Sequence, residues 1–319
     1  MFIRPLFRLV PDGTKFHFMN GRFAGLAISA LLSTASVILF FYPGLNLGLD
    51  FRGGIVLEVR TTQPADFNLI RKTLADHGVT GAEVQRFGAD TEVLVKLEAQ
   101  KTEAATQNTI DTARSTLIAS APGTKVMRAD AVGASVSAEL FRKGLLALFI
   151  SLGMILVYIW FRFEWEFAIG AVATLILDVT KTIGFLVVMR HWFEFDLVMV
   201  AAILTIIGYS TNDKVVVYDR MRENLRKYKT MPLRELIDLS INETLSRTIA
   251  TSTTVFLAAL PLAMFGGASL SAFAWTMLFG IVVGTTSSIF IAAPILLLLG
   301  EHRLRRDIAL PKAPVPKKK

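Results

Sequence analysis

The sequence predicts an α-helical membrane protein with six transmembrane helices plus one exterior α+β domain of ferredoxin-like, βαββαβ order. Three observations predict it. Apolar residues make up 53% of the 319 residues and mean hydropathy is +0.51, high for a protein that folds in water. Six apolar stretches, at 23–42, 144–161, 167–189, 197–218, 249–265 and 271–300, contain only four charged residues, Asp178, Lys181, Asp213 and Lys214. Between the first two stretches lies 43–143, a domain-sized segment with 12 basic and 12 acidic side chains.

The spans follow from geometry. A helix rises ~1.5 Å per residue, so ~20 apolar residues cross a hydrocarbon layer of roughly 30 Å. Runs of this length exclude a soluble globular enzyme. Their continuity excludes a membrane β-barrel, whose strands alternate in short segments. The first run lacks a small-residue cleavage pattern and reads as a retained anchor. The chain has no cysteine and four scattered histidines, so the sequence predicts no disulfide, no metal and no cofactor.

Charge asymmetry sets the expected topology. Lys and Arg concentrate in 1–22, in 219–247 and in the tail 301–319, whereas 266–270 has none and 190–196 only Arg190. By the positive-inside rule both termini are cytoplasmic, with a cytoplasmic loop at 219–246 and the domain 43–143 outside, in the periplasm. The resulting division is a cytoplasmic segment 1–22, a first span at 23–42, spans two to six within 144–300, and a basic disordered tail at 301–319. The net charge of +8 then lies against anionic membrane lipids and not nucleic acid.

Within the exterior domain, 55–61 alternates apolar and polar residues as a strand. A helix over 64–77 places Phe67, Ile70 and Leu74 on one face and ends at Gly78. Strands at 83–87 and 92–98 flank a turn at Gly88-Ala89-Asp90, and a second helix over 101–119 precedes a strand at 125–132. The order matches the ferredoxin-like unit. No acid–base pair, nucleophile elbow or phosphate loop accompanies it, so a binding or lever role is expected.

The intramembrane charges are the candidate functional groups, because each costs ~2.5–3.5 kcal/mol at mid-bilayer on insertion scales. Helical spacing places Thr174, Asp178, Lys181, Thr182 and Phe185 on one stripe, Ile206, Ser210, Asp213 and Val217 on a second, and Arg247, Thr251 and Thr254 on a third. Asp178 and Lys181 also have the spacing of an i,i+3 ion pair that simply makes the span insertable. Arg247 sits where an arginine snorkels to the interface. Gly280 and Gly284 predict close helix packing, and Pro261 and Pro294 predict kinks. Phe51, Trp160, Trp165 and Trp192 read as interfacial belts.

Three motifs carry a family resemblance: Gly48-Leu49-Asp50-Phe51-Arg52-Gly53-Gly54; the run from Gly208 through Asp213 and Lys214 to Asp219-Arg220-Met221-Arg222-Glu223-Asn224; and Ser246-Arg247-Thr248 through Thr254, followed by Phe265-Gly266-Gly267. Together they resemble the SecD/SecF family of protein-export membrane proteins, within the resistance–nodulation–division superfamily. The resemblance covers nearly the whole chain, and the fourth-span motif is long and specific. It implies a non-enzymatic subunit of the bacterial inner (plasma) membrane that uses proton-motive force to help draw unfolded exported preproteins through the SecYEG channel. It implies SecD as the other half of the transporter and YajC as a further partner.

Residue by residue, the resemblance assigns proton coupling to Asp213, Arg247 and Asp178, with Lys181 and Lys214 as added charges beside them. It assigns Asp50, Phe51, Gly53 and Gly54 to a contact near the exterior mouth of the spans. The residues alone also fit a turn entering the first strand. Asp219, Arg220 and Glu223 match the family motif at the inner surface, where a docking surface and a solvated charged face remain alternatives. The chain departs from the pattern at Leu177, where the family has histidine, and at Lys214, where it has a small polar residue. The added lysines leave open which carboxylate carries the proton and whether H⁺ or Na⁺ is the coupling ion. An arginine stays protonated, so Arg247 suits a fixed-charge gate. The competing readings are half of an RND-type small-molecule or lipid exporter, a passive scaffold, and an intramembrane aspartyl protease in which Asp178 and Asp213 share a proton.

Overall fold

The computed structural model describes residues 14–86, 90–98, 102–120, 123–163 and 165–299, with Pro11 and Gln100. The expected tail 301–319, most of the segment 1–13, and Gly88 and Ala89 of the predicted turn lie outside the described residues. Among the described residues, six helical segments are long and apolar enough to cross a membrane. The chain divides into two compact units. One comprises Asn46–Leu148 with Glu194–Val200, and the other takes the rest of the described residues.

The smaller unit contains helix α2 (Leu49–Arg52), strand β1 (Gly54–Arg60), helix α3 (Phe67–Asp76), strands β2 (Glu83–Arg86) and β3 (Glu92–Leu97), helix α4 (Glu103–Ser120) and strand β4 (Lys125–Val132). The sheet order is β2-β3-β1-β4, with all neighbours antiparallel. This is the interleaved βαββαβ arrangement that the element order predicts. One face of the sheet is dry. Ile55, Leu57 and Val59 of β1 and Val93, Val95 and Leu97 of β3 pack beneath Ile70 and Leu74 of α3 and Ala113 and Leu117 of α4. Their alternation along each strand is what puts them on one face. Helix α3 begins later than the predicted helix, because Asp66 takes the N-cap. Its carboxylate accepts from the N–H groups of Asn68 and Leu69.

The membrane helices are α1 (Arg22–Phe41), α5 (Ala134–Arg162), α6 (Trp165–Val188), α7 (Leu197–Lys227), α8 (Leu233–Phe265), α9 (Gly267–Ser287) and α10 (Ala293–Leu299). Before α1, a single 3₁₀ turn spans Phe18–Gly21. The sixth span is not one α-helix. A π-helical turn at Ser288–Ala292 joins α9 to α10. Pro294 lacks the N–H that would continue the α ladder, and such turns accommodate the mismatch. Pro261, by contrast, sits inside α8, which stays continuous.

Helices α7 and α8 outrun their apolar stretches, so most of 219–246 is helical and only Tyr228–Pro232 connects them. Their polar ends are tied together. Arg220 reaches Glu243 at 2.7 Å, and Asn224 Nδ2 donates to Ser240 Oγ at 3.0 Å and to Glu243 at 2.7 Å. An apolar cluster in the larger unit unites Met19, Phe167, Tyr218, Met221, Leu236 and Leu296. Gly280 and Gly284 do pack a helix closely. A Cβ on Gly280 would fall 2.4 Å from the Ile206 side chain, and one on Gly284 3.1 Å from Ser210 Oγ. These glycines therefore seat α9 on α7.

Candidate functional site

Two of the three predicted stripes turn inward and meet. Thr174, Asp178, Lys181 and Thr182 of α6 are buried, as are Ile206, Ser210, Asp213 and Val217 of α7. The third inward face comes from the end of α9 and the π-helical turn, through Ser287 and Ser288. Sequence reasoning missed both serines. The available signal was the run Thr285-Thr286-Ser287-Ser288 inside an otherwise apolar span.

The two aspartates have different company. Asp178, 1% exposed, receives Lys214 Nζ on Oδ2 at 2.9 Å and Lys181 Nζ on Oδ1 at 3.4 Å. Its Oδ2 also accepts from Ser210 Oγ at 2.9 Å and Ser287 Oγ at 2.7 Å. Asp213, 5% exposed, accepts from Ser288 Oγ at 2.6 Å and makes no ion pair among the described residues. Lys214 follows Asp213 in sequence but points elsewhere, because consecutive helical residues project ~100° apart. Both added lysines thus serve Asp178. A buried carboxylate held by two ammonium groups is also not one of two carboxylates sharing a proton.

Arg247 stands apart from this cluster. It is exposed, with Thr251 and Thr254 exposed on the same side of α8. On α7, Thr205, Gly208 and Asn212 are exposed at helical spacing. Two membrane helices therefore present polar outer faces.

The Gly48–Gly54 motif lies in the smaller unit and does more than turn the chain. The Asp50 carboxylate accepts the N–H of Leu197 at 3.0 Å, the first residue of α7. Asp196 caps the same helix by accepting from Met199 N at 2.9 Å. Two acids thus complement the unpaired N–H groups and positive dipole end of α7. Burial first, and then the neighbouring Asp50 charge, push the Asp196 carboxyl above its usual range. Gly53 and Gly54 adopt φ of 70° and 129°, which a side chain resists. A Cβ on Gly53 would also crowd Ser137 Oγ at 3.0 Å. Phe51 does not join an interfacial belt. It is buried between Phe141 and Phe195, each ring at 5.5 Å, because the turn of α2 points it into the unit's own apolar packing. Trp160, Trp165 and Trp192 are exposed.

At the far end of α7, Asp219 pairs with Arg162 at 2.9 Å, and Arg220 bridges Glu223 and Glu243. These charges knit helix ends together.

Comparison with known proteins decides the family. The profile "Protein export membrane protein SecD/SecF, C-terminal" matches residues 113–302, and the "SecD/SecF GG Motif" profile matches residues 38–65. The protein translocase subunit SecF of Rickettsia bellii (strain OSU 85-389) is 41% identical over 96% of this chain and 100% of its own length. This chain belongs to the SecD/SecF family, among its SecF subunits. The SecF of Cereibacter sphaeroides is 42% identical over 93% of both chains. The SecDF of Brucella abortus is 44% identical over 92% of this chain and 38% of its own. The crystal structure of SecDF from Thermus thermophilus, a translocon-associated membrane protein, superposes with a TM-score of 0.81 at 33% identity, over 93% of this chain. A second SecDF structure, in a super-membrane-facing form, gives a TM-score of 0.69 at 32% identity, over 96% of this chain. This chain spans about 40% of those two structures. The SecF subunits are a family of transmembrane subunits of protein translocation.

Proposed function

We propose that this chain is the proton-responsive half of a translocation motor in the bacterial inner membrane. It assembles with SecD and helps draw unfolded preproteins through the SecYEG channel. Asp213 is the proton carrier in this reading, and Asp178 is a fixed, neutralised anchor. One observation carries the assignment. Asp213 is buried with a hydroxyl for company, whereas Asp178 is buried with two ammonium groups. A carboxylate without a bound cation exchanges a proton at lower cost than one that must first break two ion pairs.

The exposed polar stripes on α7 and α8 support SecD as the covering partner, because arginine, asparagine and threonine facing lipid are costly. The SecDF proteins of Brucella abortus and Thermus thermophilus, which align with this chain over part of their length, support the same pairing. Arg247 lies on that face, where movement between the halves would bring a permanent cation towards or away from Asp213. The domain 43–143 then lies outside and both termini inside. One charge moving through 100 mV supplies ~2.3 kcal/mol, enough to bias such a lever over repeated cycles.

The test is preprotein export into vesicles that contain SecYEG and the SecD partner, with and without a proton gradient. Asp213→Asn should remove the gradient-dependent part and leave assembly with SecD intact. Full gradient dependence in that variant counts against the reading.

A further inference from the structure

The surroundings of Lys214 are those of a cation site more than of a hydrogen-bond partner. Its ammonium has three N–H donors. Four oxygens surround it: Asp178 Oδ2 at 2.9 Å, Ser287 Oγ at 3.3 Å, the Ser210 carbonyl at 3.4 Å, and Ser210 Oγ in closer contact. Ser210 Oγ donates to Asp178 Oδ2, and Ser287 Oγ has both Asp178 Oδ2 and the Gly284 carbonyl within donor reach. Each hydroxyl has one hydrogen to give, so its oxygen keeps lone pairs for Nζ. One carboxylate, two hydroxyls and one carbonyl, with lone pairs converging on a fully buried centre, is the all-oxygen donor set that hard cations take. Gly284 makes the cage possible by letting α9 approach Ser210.

We propose that Lys214 is a tethered internal cation, whose ammonium fills an oxygen cage suited to a monovalent metal ion and so excludes Na⁺. Charge balance supports this. With Lys181, Lys214, Asp178 and Asp213 ionised the buried group sums to zero. Removing the Lys214 charge leaves one negative charge, which a Na⁺ in the same cage restores to neutrality. Combined with the proton-carrier reading above, the cage leaves the proton as the coupling ion. The cage itself stands without that reading, since Asp213 is not one of its ligands.

The experiment measures saturable ²²Na⁺ binding to the full-length chain in lipid nanodiscs, at constant ionic strength with choline as the replacement ion. Wild type should bind none. Lys214→Ser, which empties the cage, should gain one Na⁺ per chain, and adding Asp178→Asn should abolish it. Lys214→Met, which removes the charge but fills the space, should gain none. These arms read Na⁺ at Lys214 and Asp178, whereas the proton reading is tested by export at Asp213, so a failure of that reading leaves them untouched. If Lys214→Ser folds only in Na⁺ and not in choline, the cage is confirmed by rescue. Saturable Na⁺ binding by wild type that depends on Asp178 overturns the proposal. So does a folded Lys214→Ser chain that gains no Na⁺, or one that fails to fold in both salts.

Discussion

Asp178 and Asp213 are the same residue type, both under one-tenth exposed and both on membrane-spanning helices, yet their surroundings are opposite. Asp178 sits among two ammonium groups and two hydroxyls. Asp213 has the hydroxyl of Ser288. The difference teaches that burial alone does not mark a functional carboxylate. What matters is whether its charge is already answered. A fully answered charge behaves as a structural joint, and a partly answered one keeps its chemistry available.

The largest expected effect breaks the joint. Asp178→Asn leaves two lysines buried without their counterion, and such one-sided removals cost about 3–5 kcal/mol. Thermal unfolding of the full chain in nanodiscs should show a large drop in Tm. Asp213→Asn in the same assay should barely move it, since the amide oxygen still accepts from Ser288. Equal losses for the two variants would erase the distinction.

Next comes the packing that holds the joint. Gly280→Ala places a methyl 2.4 Å from the Ile206 side chain, and overpacking of this kind costs about 1–3 kcal/mol. Gly284→Ala, with 3.1 Å to Ser210 Oγ, should cost less but disturb the Lys214 cage more. The pair is read by Tm, and by Na⁺ binding after each change is added to Lys214→Ser.

Much of this was legible in the sequence. Period-2 alternation over residues 55–61 and apolar continuity in the spans fixed the element types, and helical spacing put Asp178 and Asp213 on inward faces. The partner of Lys214 was not legible. Helical spacing leaves both aspartates open to Lys214, because only the packing of α6, α7 and α9 decides which carboxylate an inward lysine meets. Ser287 and Ser288 were missed for a related reason. Hydroxyls in a span commonly bond their own helix backbone, as Thr182 does to the Asp178 carbonyl, so a serine run does not announce a tertiary contact. Phe51 was misplaced because an aromatic near a span end fits a belt as well as a core. For Asp50 the residues suggest a turn, and the resemblance implies an exterior contact. Its role as a second cap on α7 depends on a residue 147 positions away.

The smallest effect sharpens the comparison outside the membrane. The Asp196 carboxyl is raised by burial and by Asp50. Its protonated form is therefore favoured in the folded state. The stabilisation this gives is full below the unfolded-state value and is lost as pH rises through the folded one. Asp196→Asn keeps the cap acceptor and removes the titration. Its Tm should change less between acidic and neutral pH than that of wild type. An unchanged pH slope would remove Asp196 from the account.

The most direct measurement follows the proton itself. Infrared difference spectra of the chain assembled with SecD, recorded as pH is stepped, report the C=O stretch of a protonated carboxylic acid. The account predicts a band that appears on acidification in wild type and is missing in Asp213→Asn. A band that persists unchanged in Asp213→Asn would place the exchanging proton elsewhere and contradict it.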